Sequence, residues 1–416
     1  MTDLPDLISL WEHVRANPNL AVSYLNLGKA LEAHQRPIAA LRSYQQAVKL
    51  RSNYAEAQFC LGRQWWKQGD LEAARSHFEH AAELRLPGVP LALHFNRDLI
   101  YGHHGMRDPW LLWDGHVYRL YYLAGLWDEP SRSIHTAHSP DLITWHYDGT
   151  ILTAPDSTIS FGCGMTRIIH DRYHLYYSVR QRTNTGDRET IALATSADHL
   201  TWETINQDAI ALDSQYYAPH HWHTPSSFVD PKTDKVYCFV GASAASCDDP
   251  NYQGCIAMAV GERSSTHLTV LPPVLLHLTG QAGLSAFGRI DRPQIVLANN
   301  QYYLTFSCPS DRLHPEWRSR LVPRRLSESS MFCYVADSIT GPYRPFPDDE
   351  PFVWGSERTR LARSGVFFDH PKRTLFVYGS YPQSQLLEVS KRFPIGWNGK
   401  KIGIMFDLQI SEIRGG

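Results

Sequence analysis

The sequence predicts two domains: a small all-α helical repeat over residues 1–90, followed by an all-β propeller of five blades over residues 91–416. Three observations lead to this prediction. The composition changes near residue 87, from Ala, Leu, Gln and Glu at helical spacing to short runs rich in Tyr, Trp, Pro and Gly. The first part repeats itself after 34 residues. The second part contains five short aromatic strand segments, each preceded by a polar turn.

Composition and charge narrow the classes of function. With 416 residues, of which 43% are hydrophobic, the chain can bury a large core. The net charge of −2 favours neither nucleic acid nor an anionic membrane as a partner. No apolar run approaches the roughly 18 residues that span a bilayer, and the N-terminus lacks the cationic segment of a secretory signal. Seven scattered cysteines without a Cys-x-x-Cys pair predict free thiols in a reducing cytoplasm.

The helical part superposes on itself with a shift of 34 residues. The aligned pairs are Leu27-Gly28 with Leu61-Gly62, Ala40 with Ala74, Tyr44 with Phe78, and Ala47 with Ala81. These positions resemble the tetratricopeptide repeat, in which small residues let two antiparallel helices approach each other. Residues 4–18 look like half a repeat. Because solenoids generally need about three repeats to bury their faces, this block is expected to lean on the next domain. It is either a peptide- or protein-binding groove or a packing appendage.

The second part contains five strand segments rich in Tyr, Phe, Val and Leu. Thirteen residues before the core of each lies an anchor position, and the anchors are Asp108, Cys163, Thr224, Asp291 and Ser364. Each interval between anchors has room for four strands, and Ser-x-Asp-x-x-Thr-Trp recurs at 139–145 and 196–202. Five units of this size predict a five-bladed propeller, whose innermost strands line a central channel. The anchors are therefore expected to converge on one pocket.

Several segments resemble the five-bladed propeller glycosidases of glycoside hydrolase families 43, 32 and 68. "RDPWLLWDGHVYRLYY" at 107–122 is similar to the family 43 opening, in which the Asp of an Asp-Pro pair is the catalytic base. The segments at 224–243, 290–307 and 334–346 resemble parts of later blades. The resemblance implies that Asp108 is the base or nucleophile and that Asp291 stands where the families place a catalytic Glu. The families' third carboxylate falls on Thr224.

Glycoside cleavage needs one carboxyl group that protonates the leaving oxygen and another that activates water or attacks the anomeric carbon. Asp108 and Asp291 are the predicted catalytic pair, and an Asp in place of Glu would suit inversion through an intervening water. The alternative for Asp108 is an Asp-Pro turn, and for Asp291 a structural ion pair with Arg292. Glu189 and Glu357 are further acid candidates.

Other polar and aromatic residues near the predicted strand mouths are candidates for substrate binding: Arg107, His104, Trp222, His223, Thr224 and Arg292. The neighbouring histidines (His103, His104, His220, His221 and His223) offer three alternatives, which are hydrogen bonding to sugar, a metal site with Asp108, and solvated loops. No metal or cofactor is predicted. The basic stretch at 314–326 is expected to be an exposed loop, or else a lid that grips an anionic sugar. Trp110, Trp113 and Trp127 are expected to pack between blades.

The leading hypothesis is a cytoplasmic, bacterial glycosidase or glycosyl-transferring enzyme that acts on a small saccharide or glycoconjugate. One alternative is a non-catalytic carbohydrate-binding or scaffold protein, favoured by the missing carboxylate at Thr224. The other is a propeller enzyme that uses the histidine cluster and a metal. The expected partners are a saccharide and, through the helical repeats, a protein.

Overall fold

The computed structural model describes two compact units of the chain, one helical and one mainly β. The described residues are 7–70, most of 73–81, 106–124, 130–142, 145–184, 186–246, 249, 251–275, 287–316, 318, 329–346, 351–353, 362–369, 374–380, 393–397 and 402–404. The predicted domain boundary between residues 90 and 91 lies outside them.

The helical unit begins with four helices, each of which contacts the next along the chain. They are α1 (Leu7–Ala16), α2 (Ala21–Ala33), α3 (Pro37–Leu50) and α4 (Ala55–Lys67). Pro37 occupies the first turn of α3, where its missing N–H costs no hydrogen bond. Gly28 of α2 lies against the ring of Tyr44 in α3, and a Cβ at Gly28 would lie 2.5 Å from Tyr44 Cε1. Among the described residues, no helix is long and apolar enough to cross a membrane.

The β unit contains five four-stranded antiparallel sheets, in each of which neighbouring strands follow chain order. Sheet 1 consists of β1 (Met106–Trp113), β2 (Tyr118–Ala124), β3 (Ser133–Ser139) and β4 (His146–Thr153). Sheet 2 consists of β5 (Thr158–Ile169), β6 (Arg172–Thr183), β7 (Gly186–Ser196) and β8 (Glu203–Ile210). Sheet 3 consists of β9 (Tyr217–Val229), β10 (Lys235–Ala244), β11 (Gly254–Glu262) and β12 (Thr269–Leu275). Sheet 4 consists of β13 (Asp291–Ala298), β14 (Gln301–Pro309), β15 (Ser329–Ala336) and β16 (Arg344–Pro345). Sheet 5 consists of β17 (Ala362–Asp369), β18 (Thr374–Ser380), β19 (Phe393–Trp397) and β20 (Ile402–Ile404).

The first strands of the sheets contact one another in circular order. Strand β1 contacts β5, β5 contacts β9, β9 contacts β13, β13 contacts β17, and β17 contacts β1. Apolar side chains of neighbouring sheets fill the space between them, as Trp110 and Tyr121 of sheet 1 do with Cys163 and Tyr177 of sheet 2. This arrangement confirms a mainly β, propeller-like ring of sheets.

Each first strand carries a β-bulge at the same level of its sheet. Three residues of the first strand span two of the second between Arg107 and Trp110, and the same irregularity recurs in the other four sheets. The residues that share the first bulge position are Asp108, Gly162, Thr224, Arg292 and Arg363. The alignment by sequence spacing is therefore wrong by one residue at Cys163, Asp291 and Ser364. Because alternate residues of a strand point to opposite faces, a one-residue slip changes which side chain is equivalent to Asp108.

The repeated Ser-x-Asp-x-x-Thr-Trp motif forms the same turn in sheets 1 and 2. The Ser139 hydroxyl donates to Asp141 and accepts from its backbone N–H, and Ser196 and Asp198 make the same two bonds. The residue after each Asp-x or Asp position adopts a left-handed φ, and a tryptophan follows each turn. Trp202 packs edge-on against Tyr121 of the preceding sheet, at a centroid distance of 6.1 Å.

The described cysteines are buried free thiols, as predicted: Cys60, Cys163, Cys238, Cys255, Cys308 and Cys333. Burial raises the pKa of Cys238 and Cys333. These thiols are core residues rather than reactive groups.

Candidate functional site

A polar cavity of about 280 Å³ opens beside the bulges of sheets 1, 2 and 3. Two carboxyl groups line it, those of Asp108 and Glu189. Three arginines, Arg107, Arg180 and Arg289, also line it, together with His223, Thr224 and the hydroxyls of Ser131, Ser160 and Ser178. A cavity that combines carboxyls, cations and hydroxyls suits a small, strongly hydrogen-bonding ligand.

Asp108 is 3% exposed and lies at the β1 bulge with φ +48°. A left-handed φ is costly for a residue other than glycine and, at a ligand cavity, often serves function. Arg292 occupies the equivalent bulge position in sheet 4, with φ +52°. Its Nη2 lies 3.7 Å from Asp108 Oδ1, and its Nη1 donates to the carbonyl of Pro109 at 2.8 Å. Sheets 1 and 4 are thus joined by a buried ion pair next to the cavity.

Thr224 is buried at the equivalent position of sheet 3, with φ +56°. Its hydroxyl accepts a hydrogen bond from the backbone N–H of Arg292 at 3.0 Å. Its own N–H donates to Ser178 Oγ of sheet 2 at 2.9 Å. Thr224 therefore connects three sheets where the resemblance implied a carboxylate.

Asp291 is 1% exposed and belongs to a second cluster, one residue before the bulge. Arg289 Nε donates to both of its carboxylate oxygens at 3.0 Å, and Arg289 Nη2 donates to His223 Nε2 at 2.9 Å. His221 Nε2 donates to the carbonyl of Ile290 at 3.0 Å. The two imidazole rings lie 4.0 Å apart, so His221 and His223 share one face of β9. Asp291 thus holds Arg289, which reaches His223 at the cavity wall.

His221, His223 and Asp291 are the described residues whose spacing would suit a metal ion, since their ligand atoms all lie within 4.8 Å of one another. The Arg289 guanidinium already donates to Asp291 and His223. A guanidinium has only donors, so it satisfies these lone pairs and supplies positive charge where a cation would lie. The cluster is organised around arginine, and it does not include Asp108.

Glu189 lies on β7 and its Oε2 accepts a hydrogen bond from the backbone N–H of Trp222 at 3.2 Å. Burial raises the pKa of Glu189, and the nearby charge of Asp291 acts in the same direction. The Trp222 N–H, Arg180 and Arg289 act in the opposite direction. Glu189 is therefore a cavity carboxyl group whose neutral form is favoured by its surroundings.

The structure separates the predicted site residues into two groups. Asp108, Arg107, His223 and Thr224 line the cavity, whereas Asp291 and Arg292 lie behind its wall. Trp222 is fully buried and its Nε1 donates to the carbonyl of Ile210, because its side chain points away from the face that carries His221 and His223. Its ring therefore belongs to the core between sheets 2 and 3.

Trp110 is buried too, and its Nε1 donates to Thr166 Oγ1 at 2.9 Å. This contact agrees with the expected packing between blades. The following predicted residues or side chains lie outside the described part of the chain: His103, His104, Trp127, the side chain of His220, Glu357, and most of 314–326.

Sequence reasoning missed Arg180 and Arg289 as cavity residues. Arg289 lies two residues before Asp291, outside the strand pattern that was used to align the sheets. Arg180 lies on β6, and the analysis concentrated on first strands. A usable signal for Arg289 was its position beside the aligned Asp291, at the predicted mouth of the strand.

Comparison with known proteins supports the fold. No family model matches the sequence, and no curated protein matches it. Among solved structures, a thermostable family-43 glycoside hydrolase is 18% identical, with a TM-score of 0.55 over 73% of this chain and 93% of that one. Inulosucrase from Halalkalicoccus jeotgali bound to kestose is 18% identical, with a TM-score of 0.59 and coverage of 72% and 86%. A Bombyx mori GH32 β-fructofuranosidase is 16% identical, with a TM-score of 0.58 and coverage of 76% and 65%. At these identities the likeness shows the fold alone, which is that of the propeller glycosidases.

Proposed function

We propose that the β unit is a glycoside hydrolase or glycosyl-transferring enzyme that acts on a small saccharide or glycoconjugate in the cavity beside the bulges. The observation that carries this proposal is Asp108, a buried carboxyl group at a left-handed bulge that borders a polar cavity. A volume of about 280 Å³ is near the lower end of small-molecule sites, roughly 300–1,000 Å³, which favours a small substrate.

Asp108 acts in this proposal as the base or the nucleophile. A carboxylate in either role must be ionised, and the guanidinium of Arg292 near Oδ1 favours the ionised form. Arg107 and His223 line the same cavity and offer hydrogen bonds to sugar hydroxyls. Thr224 and Arg292 support the site through their contacts with each other and with sheet 1.

The proposal includes the finer architecture. We interpret the five sheets as the blades of a five-bladed propeller, because their first strands contact one another in circular order. We interpret the helical unit as tetratricopeptide-like, because Ala40, Ala47, Ala74 and Ala81 are buried at the small-residue positions of the 34-residue repeat. A protein partner of this unit and a cytoplasmic location stay predictions.

Saccharide binding without turnover is the second candidate. It is favoured by the buried Asp108–Arg292 ion pair and by the absence of a carboxyl group at Thr224. In that case Asp108 would hold sheets 1 and 4 together, and the cavity would only bind sugar.

A substrate screen separates these candidates. The purified protein and its Asp108→Asn variant are incubated with aryl glycosides, sucrose and short oligosaccharides, and released sugar and saccharide binding are both measured. Sugar release by the wild type that falls by about 10³-fold or more in the variant supports the enzyme. Binding by both proteins with no release by either supports the binding protein.

A further inference from the structure

The cavity contains a second carboxyl group that is better placed for proton transfer than Asp291. Among the described residues, Asp108 and Glu189 are the carboxyl side chains that line the cavity. Asp291 lies behind the wall, and both of its oxygens accept hydrogen bonds from Arg289 Nε. A carboxylate held in this way is a hydrogen-bond acceptor only.

Glu189 is held at the edge of sheet 2 by its strand neighbours. It pairs in register with Arg180 of β6, and Arg180 pairs with Ser160 of β5. All three residues line the cavity, so this row of the sheet forms one of its walls. The backbone N–H of Trp222 from sheet 3 donates to Oε2 and fixes that oxygen. The other oxygen, Oε1, is the atom available to transfer a proton to a ligand.

Charged groups surround Glu189 on several sides. Arg180 faces it from β6, and Arg289 and Asp291 from the start of β13. His223 of β9 lies beside Arg289 in the same wall. Burial is the largest influence and raises the pKa of Glu189 above its usual value, despite the two arginines. A general acid needs a pKa that keeps it protonated near the working pH.

We infer that Glu189 is the general acid of this cavity and that Asp291 is a positioning residue that holds Arg289 and His223. This inference rests on the proposed glycosidase function. The families that the chain resembles carry their carboxylates on first strands, whereas Glu189 lies on the third strand of sheet 2. The assignment is therefore specific to this chain.

The step balances as a hydrolysis. The Glu189 carboxyl O–H donates its proton to the glycosidic oxygen while the bond from that oxygen to the anomeric carbon breaks, and the bonding pair stays on the oxygen. In the direct route, water forms the new bond to the anomeric carbon and Asp108 takes the water proton. Glu189 ends as a carboxylate and Asp108 as a carboxylic acid, and proton exchange with solvent restores both.

The test compares two aryl glycosides of the sugar that the wild type cleaves, one with a 2,4-dinitrophenyl and one with a 4-methoxyphenyl leaving group. Dinitrophenolate departs without protonation, whereas methoxyphenol needs an acid. We expect Glu189→Gln to lower kcat/KM for the methoxyphenyl glycoside by about 10²-fold or more, and for the dinitrophenyl glycoside much less. Asp108→Asn should lower both, and Asp291→Asn should lower both by the same factor. Glu203→Gln, at an exposed position of β8, is the matched control and should change neither.

The pH profile gives a second measurement. Since the acid must be protonated, wild-type kcat/KM for the methoxyphenyl glycoside should fall as pH rises through the pKa of Glu189. That alkaline limb should move in Glu189→Asp, which serves if Glu189→Gln does not fold. Equal losses on both glycosides in Glu189→Gln, or a leaving-group-dependent loss in Asp291→Asn, would overturn the assignment while leaving the glycosidase function intact. A wild type that cleaves no glycoside would overturn both.

Discussion

Asp108 and Arg292 occupy the same bulge position in sheets 1 and 4, with φ values of +48° and +52°, and their side chains meet with Arg292 Nη2 3.7 Å from Asp108 Oδ1. Both side chains are about 5% exposed or less. The same arginine donates to the carbonyl of Pro109, so it contacts both the side chain and the backbone of the β1 bulge. Two equivalent positions of the ring thus carry opposite charges that orient each other.

Replacing Arg292 by Leu should destabilise the protein strongly. Removing one partner of a buried ion pair typically costs about 3–5 kcal/mol, because the other charge stays buried. The free energy of unfolding, measured in urea, should fall by about this amount. In the double variant Asp108→Asn/Arg292→Leu the loss should be smaller than the sum of the two single losses. Additive losses would show that the two residues do not act as a pair.

Thr224 should contribute through its hydroxyl. Thr224→Val keeps the shape but leaves the buried N–H of Arg292 without its acceptor, which costs about 1–3 kcal/mol. Thr224→Ser keeps the hydroxyl and is the matched control. Urea unfolding should therefore place Thr224→Val well below Thr224→Ser. Equal stability of the two variants would mean that the hydroxyl is not needed at this bulge.

Asp114 should make stability depend on pH. Burial acts to raise its pKa, but the backbone N–H groups of Val117 and His116 and the side chain of Arg119 outweigh it, so the pKa is lowered. A lowered folded-state pKa means that the stabilisation is complete above the unfolded-state pKa and is lost as pH falls through the folded-state value. Asp114→Asn keeps an acceptor oxygen for the turn but cannot ionise.

The measurement for Asp114 is the melting temperature between pH 7 and pH 3. We expect the wild type to lose more stability on acidification than Asp114→Asn. Asp156→Asn, at an exposed loop position, is the control and should follow the wild type. Parallel curves for the wild type and Asp114→Asn would contradict the prediction.

Gly28 tests the packing of the helical unit. Gly to Ala inside a helix usually stabilises by about 1 kcal/mol, but a Cβ at Gly28 would lie 2.5 Å from the Tyr44 ring. We therefore expect Gly28→Ala to destabilise, by about 1–3 kcal/mol, as overpacking does. In the Tyr44→Leu background, where the ring is absent, the same change should be far milder. Helical circular dichroism during urea unfolding measures both, and an equal effect in the two backgrounds would exclude the ring contact as the cause.

The sequence predicted the β character and the ring of sheets because each strand pair repeats an aromatic segment after a polar turn. It did not predict which residues are equivalent. From the bulge residue to the partner of the second flanking residue, the chain runs 13 residues from Asp108 to Tyr121 but 15 from Gly162 to Tyr177. A fixed spacing cannot follow arms of different length, so it aligned Asp291 with Asp108 where the register aligns Arg292.

The site was predictable in part. Asp108, Arg107, His223 and Thr224 lie at the cavity because they sit on first strands at the expected level. Trp222 alternates to the other face of β9, and a pattern of neighbouring residues does not show which face borders the cavity. Glu189 and Arg180 reach the cavity from the second and third strands of sheet 2, and that placement depends on how the sheets pack.

The most direct test of carboxylate catalysis is to separate turnover from binding at Asp108. The measurement is kcat/KM and the saccharide Kd of Asp108→Asn, beside Asp171→Asn in the hairpin turn that joins β5 and β6 as the matched control. We predict that kcat/KM falls by about 10³-fold or more in Asp108→Asn while Kd changes little, and that Asp171→Asn behaves as the wild type. Full turnover by a correctly folded Asp108→Asn variant would contradict the role that this account gives to Asp108.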